Sequence, residues 1–239
     1  MKISELDTFV SRGAEELGIS LPPNASESFG IYFDLLERRG RYVNLTAITG
    51  LEDVARLHFL DSLALLTAAQ FKGKRVIDIG SGAGFPGIPI KIAEPSVVLT
   101  LLDATGKRVE FLSELCAALN LDAICIHARA EDKAHEADMR EKYDFAVSRA
   151  VAQLNLLCEL CLPFVRVGGT FIAMKGAGSP DEIEEARGAI STLGADYPDL
   201  FDYRLPGTDI SHRAVLIKKT SMSPEKYPRR FAKIKKEPL

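Results

Sequence analysis

The segment Arg75-Val-Ile-Asp-Ile79, running straight into Gly80-Ser-Gly-Ala-Gly84, constrains this chain more than any other part of it. A short apolar, β-branched run followed by a glycine turn reads as a buried parallel strand with a tight bend at its carboxyl end. Glycine reaches positive φ and has no Cβ, so a ligand can lie directly against the main chain there. In open α/β sheets, ligands bind outside the carboxyl ends of the strands. The segment therefore predicts a fold class and a site together.

The pattern continues downstream. Residues 97–102, 123–127, 145–148 and 170–174 are further short β-rich runs, separated by 87–93, 107–119, 153–161 and 180–193, which have the length and apolar spacing of crossover helices. Strands alternating with helices predict a doubly wound sheet. After Gly194 the helical rhythm stops, and extended stretches at 199–205 and 213–218, joined by Pro206-Gly207-Thr208-Asp209, read as a closing hairpin. Before residue 70 the apolar spacing is helical throughout (Leu6, Phe9, Val10, Leu17; Phe29, Phe33, Leu36; Val54, Leu57, Leu60, Leu63), with an irregular connector from Gly40 to Gly50. The expected organisation is a helical extension over 1–70, an α/β domain over 71–220 and a basic tail over 221–239. The sheet should be mostly parallel and seven-stranded, with an antiparallel C-terminal hairpin.

Residues just past the turn narrow its ligand. A dinucleotide fingerprint asks for a third glycine at position 85, where Phe85 stands. Gly80, Gly82 and Gly84 instead resemble the G-x-G-x-G seen in class I, Rossmann-like methyltransferases, which implies S-adenosylmethionine, a ligand with no pyrophosphate to hold. Asp103 ends the second strand about twenty residues later, where a carboxylate can accept both ribose hydroxyls. It also suits the cap of the helix that starts near Gly106. Ala130 and Glu131, after the third strand, are candidates for adenine contact, although Glu131-Asp132 equally suits the first turn of a helix. Arg149 closes the fourth strand at the same sheet edge. Its planar fork suits a methionine carboxylate, a phosphate or the acceptor edge of guanine alike, and a surface ion pair is the bland alternative.

Charge enters at this point. The formal net charge is −3, but from residue 213 onward Arg213, Lys218, Lys219, Lys226, Arg229, Arg230, Lys233, Lys235 and Lys236 stand against only Glu225 and Glu237. A whole-chain sum hides such a patch. With Arg38, Arg39 and Arg41 beside the connector, and Lys175, the tail forms the expected phosphate-contacting set, against the alternative of solvated faces. Tyr42 can stack on a base or pack under the helical cap.

Several chemistries are not expected. Cys158-x-x-Cys161 lacks the second pair that a structural zinc site needs, so no metal is assigned. Cys116, Cys125, Cys158 and Cys161 sit in apolar surroundings without a signal peptide, which leads to reduced thiols and a cytoplasmic location. No apolar run approaches the roughly 18 residues of a membrane span. His58, His127, His135 and His212 are scattered and read as structural or solvated, and no general base is assigned.

Read together, Tyr42-Val-Asn44-Leu45-Thr46, His58-Phe-Leu60-Asp61-Ser62, Ile77-Asp78 through Phe85-Pro86-Gly87-Ile88-Pro89, Leu102-Asp103, Gly106-Lys107-Arg108, Ser148-Arg149-Ala150 and Lys175-Gly176 resemble the RsmG (GidB) family. These are bacterial small-subunit ribosomal RNA guanine-N7 methyltransferases, and the resemblance covers nearly the whole chain. It implies a cofactor site at Gly80, Phe85, Asp103, Ala104, Thr105, Ala130, Glu131 and Arg149, and draws attention to His58 and Asp61. It implies methyl transfer to N7 of one guanine of 16S rRNA, in a loop near the decoding centre, with S-adenosylhomocysteine as product. The partner would be that RNA or a small-subunit assembly particle, and a monomer is favoured. The basic tail resembles that of some members, with Phe231-Ala232 where Pro-Gly is common. Guanine N7 carries its own lone pair, so in-line attack needs positioning and no proton removal. A class I enzyme acting on a small molecule or protein, and a non-catalytic S-adenosylmethionine-binding assembly factor, are the alternative readings.

Overall fold

β1 (Arg75–Ile79) lies inside a seven-stranded sheet, with β2 (Val98–Asp103) and β3 (Ala123–His127) on one side. On the other side follow β4 (Tyr143–Arg149), β5 (Val165–Gly176), β7 (Ser211–Lys218) and, at the edge, β6 (Asp199–Arg204). This computed structural model describes residues 2–43, 45–149, 152–176 and 180–239, giving the backbone alone for Lys2, Ile3, Arg41 and Pro180. β1 to β5 are parallel; β7 runs antiparallel to both β5 and β6. The expected mixed sheet with its closing hairpin is therefore present.

Register explains why distant residues meet. Ile79 pairs with Leu102, and Asp78 pairs with both Leu101 and Val147. The glycine turn after Ile79, Asp103 after Leu102 and Arg149 two residues beyond Val147 thus emerge at one edge. Alternation along β1 divides the core: Val76 faces one helical layer, while Ile77 and Ile79 face the other.

One layer contains α6 (Gly87–Ala93) and α7 (Gly106–Ala118) together with the N-terminal helices α1 (Lys2–Glu16) and α2 (Ala25–Val43). The N-terminal region then continues as α3 (Leu51–Val54), a π-helical turn (Ala55–Leu60), α4 (Asp61–Leu63) and α5 (Leu65–Ala68). Phe29, Tyr32, Phe33 and Leu36 lie at helical spacing on α2 and are buried in one cluster with Phe59, Ile88, Leu99 and Phe111. The N-terminal helices therefore share a continuous core with the sheet.

The opposite layer contains α8 (Ala130–Lys133), α9 (Leu154–Cys161), α10 (Pro180–Thr192) and α11 (Phe231–Lys236). Cys158 and Cys161 are fully buried in α9, and burial pushes both thiols well above their ordinary pKa. β5 begins five residues earlier than expected, because Tyr143 pairs with Val165 before the register shifts between Tyr143 and Phe145. The glycine pair 168–169 sits in that irregular stretch, which is why its strand character was invisible to composition.

The segment after β7 is folded against this layer. Tyr227 and Ile234 are buried, and Arg140 donates to the carbonyls of Ser223, Pro224 and Tyr227 at 2.8, 3.2 and 2.9 Å. The Ser223 N–H donates to Glu141 Oε1 at 2.8 Å, and Glu141 stands two residues before β4. The segment is thus anchored at the edge where β4 begins, opposite the glycine turn. Among the described residues no helix is long and apolar enough to cross a membrane.

Candidate functional site

The glycine turn is built so that main chain is what a ligand meets. Gly80, Gly82 and Gly84 have φ of 72°, 58° and 101°. A Cβ on Gly82 would find nothing nearer than Gly80 O at 3.8 Å, so the space beyond it is open. A Cβ on Gly84 would come within 2.7 Å of the Tyr32 hydroxyl, which donates to Ala83 O at 2.6 Å and ties the turn to α2. Any side chain at 84 would break that tie.

Asp103 braces the turn from the next strand. Its Oδ2 accepts the Gly82 N–H at 2.9 Å, its Oδ1 accepts the Thr105 N–H at 2.8 Å, and Arg108 stands 3.6 Å away. The N-cap position of α7 is Thr105, which makes no side-chain cap bond, so Asp103 braces the loop instead of capping the helix. Ala104 and Thr105 are exposed on the same turn. Beneath it lies Asp78, fully buried: Oδ2 accepts the Gly87 N–H at 2.8 Å, and Oδ1 has no partner. Burial pushes this carboxyl up to about 7.

Arg149 reaches the same edge and is held on several sides. One Nη donates to Leu57 O at 3.1 Å and to Asp61 Oδ2 at 3.2 Å, the other donates to His58 Nδ1 at 3.0 Å, and the guanidinium lies 4.7 Å over the Phe85 ring. The π-helical turn and the start of α4 present His58 and Asp61 to the guanidinium together; π turns recur at functional sites. On Asp61, Oδ1 accepts the Tyr203 hydroxyl and His212 Nδ1–H, both at 2.8 Å. That hydrogen bond holds His212 above its ordinary pKa.

His58 Nδ1 lies 3.0 Å from both Arg149 and Leu57 O. A guanidinium can only donate, so Nδ1 is the acceptor, and Nε2–H donates to Thr46 Oγ1 at 2.7 Å. Burial and the Arg149 charge push the imidazolium down to about 3. The ring is expected to stay neutral, so its carbon-bound proton resonances should not move between about pH 5 and 8. A titration in that window would show that Arg149 is not bonded to it. His58 and Tyr32 both stack on Phe85, at centroid distances of 4.4 and 5.1 Å, which leaves Phe85 4% exposed.

These groups surround a cleft of about 400 Å³ lined by Leu45, Thr46, His58, Gly80 to Ala83, Phe85, Arg108 and Arg149. Ala130 and Glu131 are buried at the start of α8, with Glu131 3.8 Å from Arg129, and do not line it. Thr46 and Arg108 stood in motifs of the resemblance without a site role, and Tyr203 and His212 carried no signal as site residues; the fold joins Thr46 to His58, Arg108 to Asp103, and Tyr203 and His212 to Asp61.

The basic residues are dispersed. Arg38 pairs with Asp34, Arg39 pairs with Glu114 at 3.0 Å, and the Arg41 side chain, like Asn44 and Ala150, lies outside the described residues. Lys175 donates to Glu182 at 2.6 Å and to Ala152 O at 2.8 Å. Lys226 lies 5.2 Å over the Tyr227 ring, and Arg229 is bound to the buried Glu159. Arg230, Lys233, Lys235 and Lys236 are exposed on and beside α11. Tyr42 is 82% exposed.

Residues 25–200 match the family model described as rRNA small subunit methyltransferase G. "Ribosomal RNA small subunit methyltransferase G" of Alkaliphilus oremlandii is 45% identical over 98% of this chain and 99% of its own length. The protein of that name from Caldanaerobacter subterraneus subsp. tengcongensis is 45% identical over the full length of both. Among solved structures, a predicted O-methyltransferase of Agrobacterium tumefaciens shares the fold with a TM-score of 0.51 at 17% identity, over 65% of this chain and 78% of its own. A precorrin-6y C5,15-methyltransferase of Geobacter metallireducens gives 0.50 at 12%, over 67% and 87%.

Proposed function

We propose, because this chain belongs to the rRNA small subunit methyltransferase G family, that it binds S-adenosylmethionine on the glycine turn and methylates N7 of one guanine of 16S rRNA. The observation that carries the N7 assignment is the absence of a free base: among the described residues lining the cleft there is no carboxylate, and both nitrogens of its histidine, His58, are committed. Such a cleft suits a nucleophile that arrives with its own lone pair.

The cofactor, when bound, supplies a methyl on a cationic sulfur. The residues fit it. The main chain of Gly80 and Gly82 offers close approach, Gly84 lets the turn pack against Tyr32, and Asp103 retains lone pairs for ribose hydroxyls after accepting two backbone N–H groups. Ala104, Thr105, Ala130 and Glu131 are proposed along the same edge, and Arg149 orients the methionine end or the base. Because Asp103 already holds Gly82 and Thr105, and Arg149 is already held by Leu57, His58 and Asp61, these groups cost little to order on binding. Asp103→Asn should weaken cofactor binding by about 1.5–3 kcal/mol, roughly 10–100-fold, as loss of a charged hydrogen bond does. Calorimetry on the folded variant checks this, and unchanged affinity would remove Asp103 from the site.

For RNA we propose phosphate contacts from Arg38, Arg39, Arg41, Lys226, Arg230, Lys233, Lys235 and Lys236, but not from Lys175 and Arg229, which the fold commits to Glu182 and Glu159. Replacing Lys233, Lys235 and Lys236 by glutamine should weaken RNA binding at unchanged cofactor affinity. The salt slope should flatten by about 0.7–0.9 for each phosphate no longer neutralised. A salt slope identical to wild type would take α11 out of the interface.

The deciding experiment offers labelled S-adenosylmethionine with under-methylated small subunits, followed by borohydride reduction and aniline cleavage, which together break the strand at an N7-methylated guanine. One cleavage site in 16S rRNA is expected. Label confined to protein or small molecules, or RNA label that resists cleavage, overturns the assignment.

A further inference from the structure

The cleft assigned to a cationic methyl donor has cationic walls. Among the described residues that line it, the formal charges are Arg108 and Arg149, and no carboxylate lines it. An uncompensated guanidinium there repels a sulfonium, and in a partly desolvated cleft that repulsion changes affinity several-fold.

Each wall cation has a carboxylate behind it. Asp103 is 3.6 Å from Arg108 and accepts the backbone N–H groups of Gly82 and Thr105. Asp61 is 3.2 Å from Arg149, is 3% exposed and does not line the cleft. Keeping a carboxylate ionised in such a place is costly unless its lone pairs are satisfied. β6 and β7 each send one donor to do so, Tyr203 and His212, and both land on the oxygen that Arg149 leaves free. The Leu57 carbonyl and His58 already hold the guanidinium by hydrogen bonds. What Asp61 adds beyond geometry is a negative charge.

We propose that Asp61 is the charge-compensating positioning residue of the cleft, cancelling the Arg149 charge so that the wall accepts a cationic methyl donor while the guanidinium keeps its orientation. The inference rests on the S-adenosylmethionine reading, and it predicts a charge-specific effect: S-adenosylhomocysteine has the same shape without the sulfonium charge.

Dissociation constants of S-adenosylmethionine and S-adenosylhomocysteine are measured by calorimetry on the full chain, in buffer alkaline to the His212 titration. Asp61→Asn should raise the ratio of the first constant to the second by at least about fivefold, the scale of one uncompensated charge. Arg149→Gln should lower the ratio, and the double variant should return it to within about twofold of wild type. A purely structural role would move both single variants the same way or leave the ratio unchanged, and either result overturns the proposal. Should Asp61→Asn fail to fold, Arg149→Gln against the charge-conserving Arg149→Lys decides: equal ratios in the two overturn it. Wild-type protein that binds neither compound would instead defeat the cofactor reading itself.

Discussion

Arg229→Ala is expected to destabilise the chain by about 3–5 kcal/mol, the usual cost of removing one partner from a buried ion pair. Glu159 on α9 is 0% exposed and accepts three bonds from Arg229: Oε1 takes the backbone N–H at 2.8 Å and Nε at 2.9 Å, and Oε2 takes Nη2 at 2.7 Å. Alanine keeps only the backbone donor and leaves a carboxylate with no compensating charge in a dry layer. At about 2–4 °C per kcal/mol for a chain of this size, the midpoint should fall by roughly 6–20 °C. Denaturant unfolding measures the change directly. The double variant Arg229→Met with Glu159→Leu should recover most of it, because replacing both members of a buried pair by apolar groups is often neutral or stabilising. A loss under about 1 kcal/mol in the single variant would mean that the C-terminal segment is not fastened through this pair.

The same residue shows where sequence reasoning reached its limit. Arg229 reads as one more cation in a basic run and so as a phosphate contact, yet the fold commits it to Glu159, seventy positions away, just as it commits Lys175 to Glu182. Composition counts charges but does not say which are already neutralised. By contrast, the strand, glycine turn and Asp103 were legible because a parallel strand, its turn and the end of its neighbour have fixed spacings along the chain. The five parallel strands and the closing hairpin followed from the same rhythm. α11 was not legible, since six residues hold less than two helical turns of pattern. The Asp61 cluster was not legible from spacing either. His58, Arg149, Tyr203 and His212 come from four elements, and His212, read as scattered, is bonded within it. Family resemblance pointed to His58 and Asp61, but only the sheet register brings the hairpin onto them.

Asp78 carries the other large effect, in the pH dependence of both folding and ligand binding. Its folded pKa is raised, from 3.8 to about 7, chiefly by desolvation, with the Gly87 hydrogen bond and the Arg149 charge opposing the rise. A carboxyl raised on folding binds its proton more tightly in the folded state, so stability is highest below the unfolded value, falls as pH rises from about 4 to about 7, and is level above that. At about 1.4 kcal/mol per pH unit the full span is about 4 kcal/mol. Asp78→Asn keeps an acceptor for the Gly87 N–H but cannot ionise. It should lie about 1–3 kcal/mol below wild type near pH 4, the cost of a buried amide N–H₂ where Oδ1 now has no partner, and about 1–3 kcal/mol above it at pH 8. Binding should respond in the opposite sense. A cationic donor in the cleft favours ionised Asp78, so wild-type affinity for S-adenosylmethionine should climb by up to about tenfold per pH unit below pH 7 and then level off, with proton release on binding. The Asn variant, more stable at pH 8, should bind more weakly there and show no such climb. Thermal melts and calorimetry at matched pH values test both halves, and a difference between the two proteins that does not vary with pH would show that Asp78 is already ionised throughout.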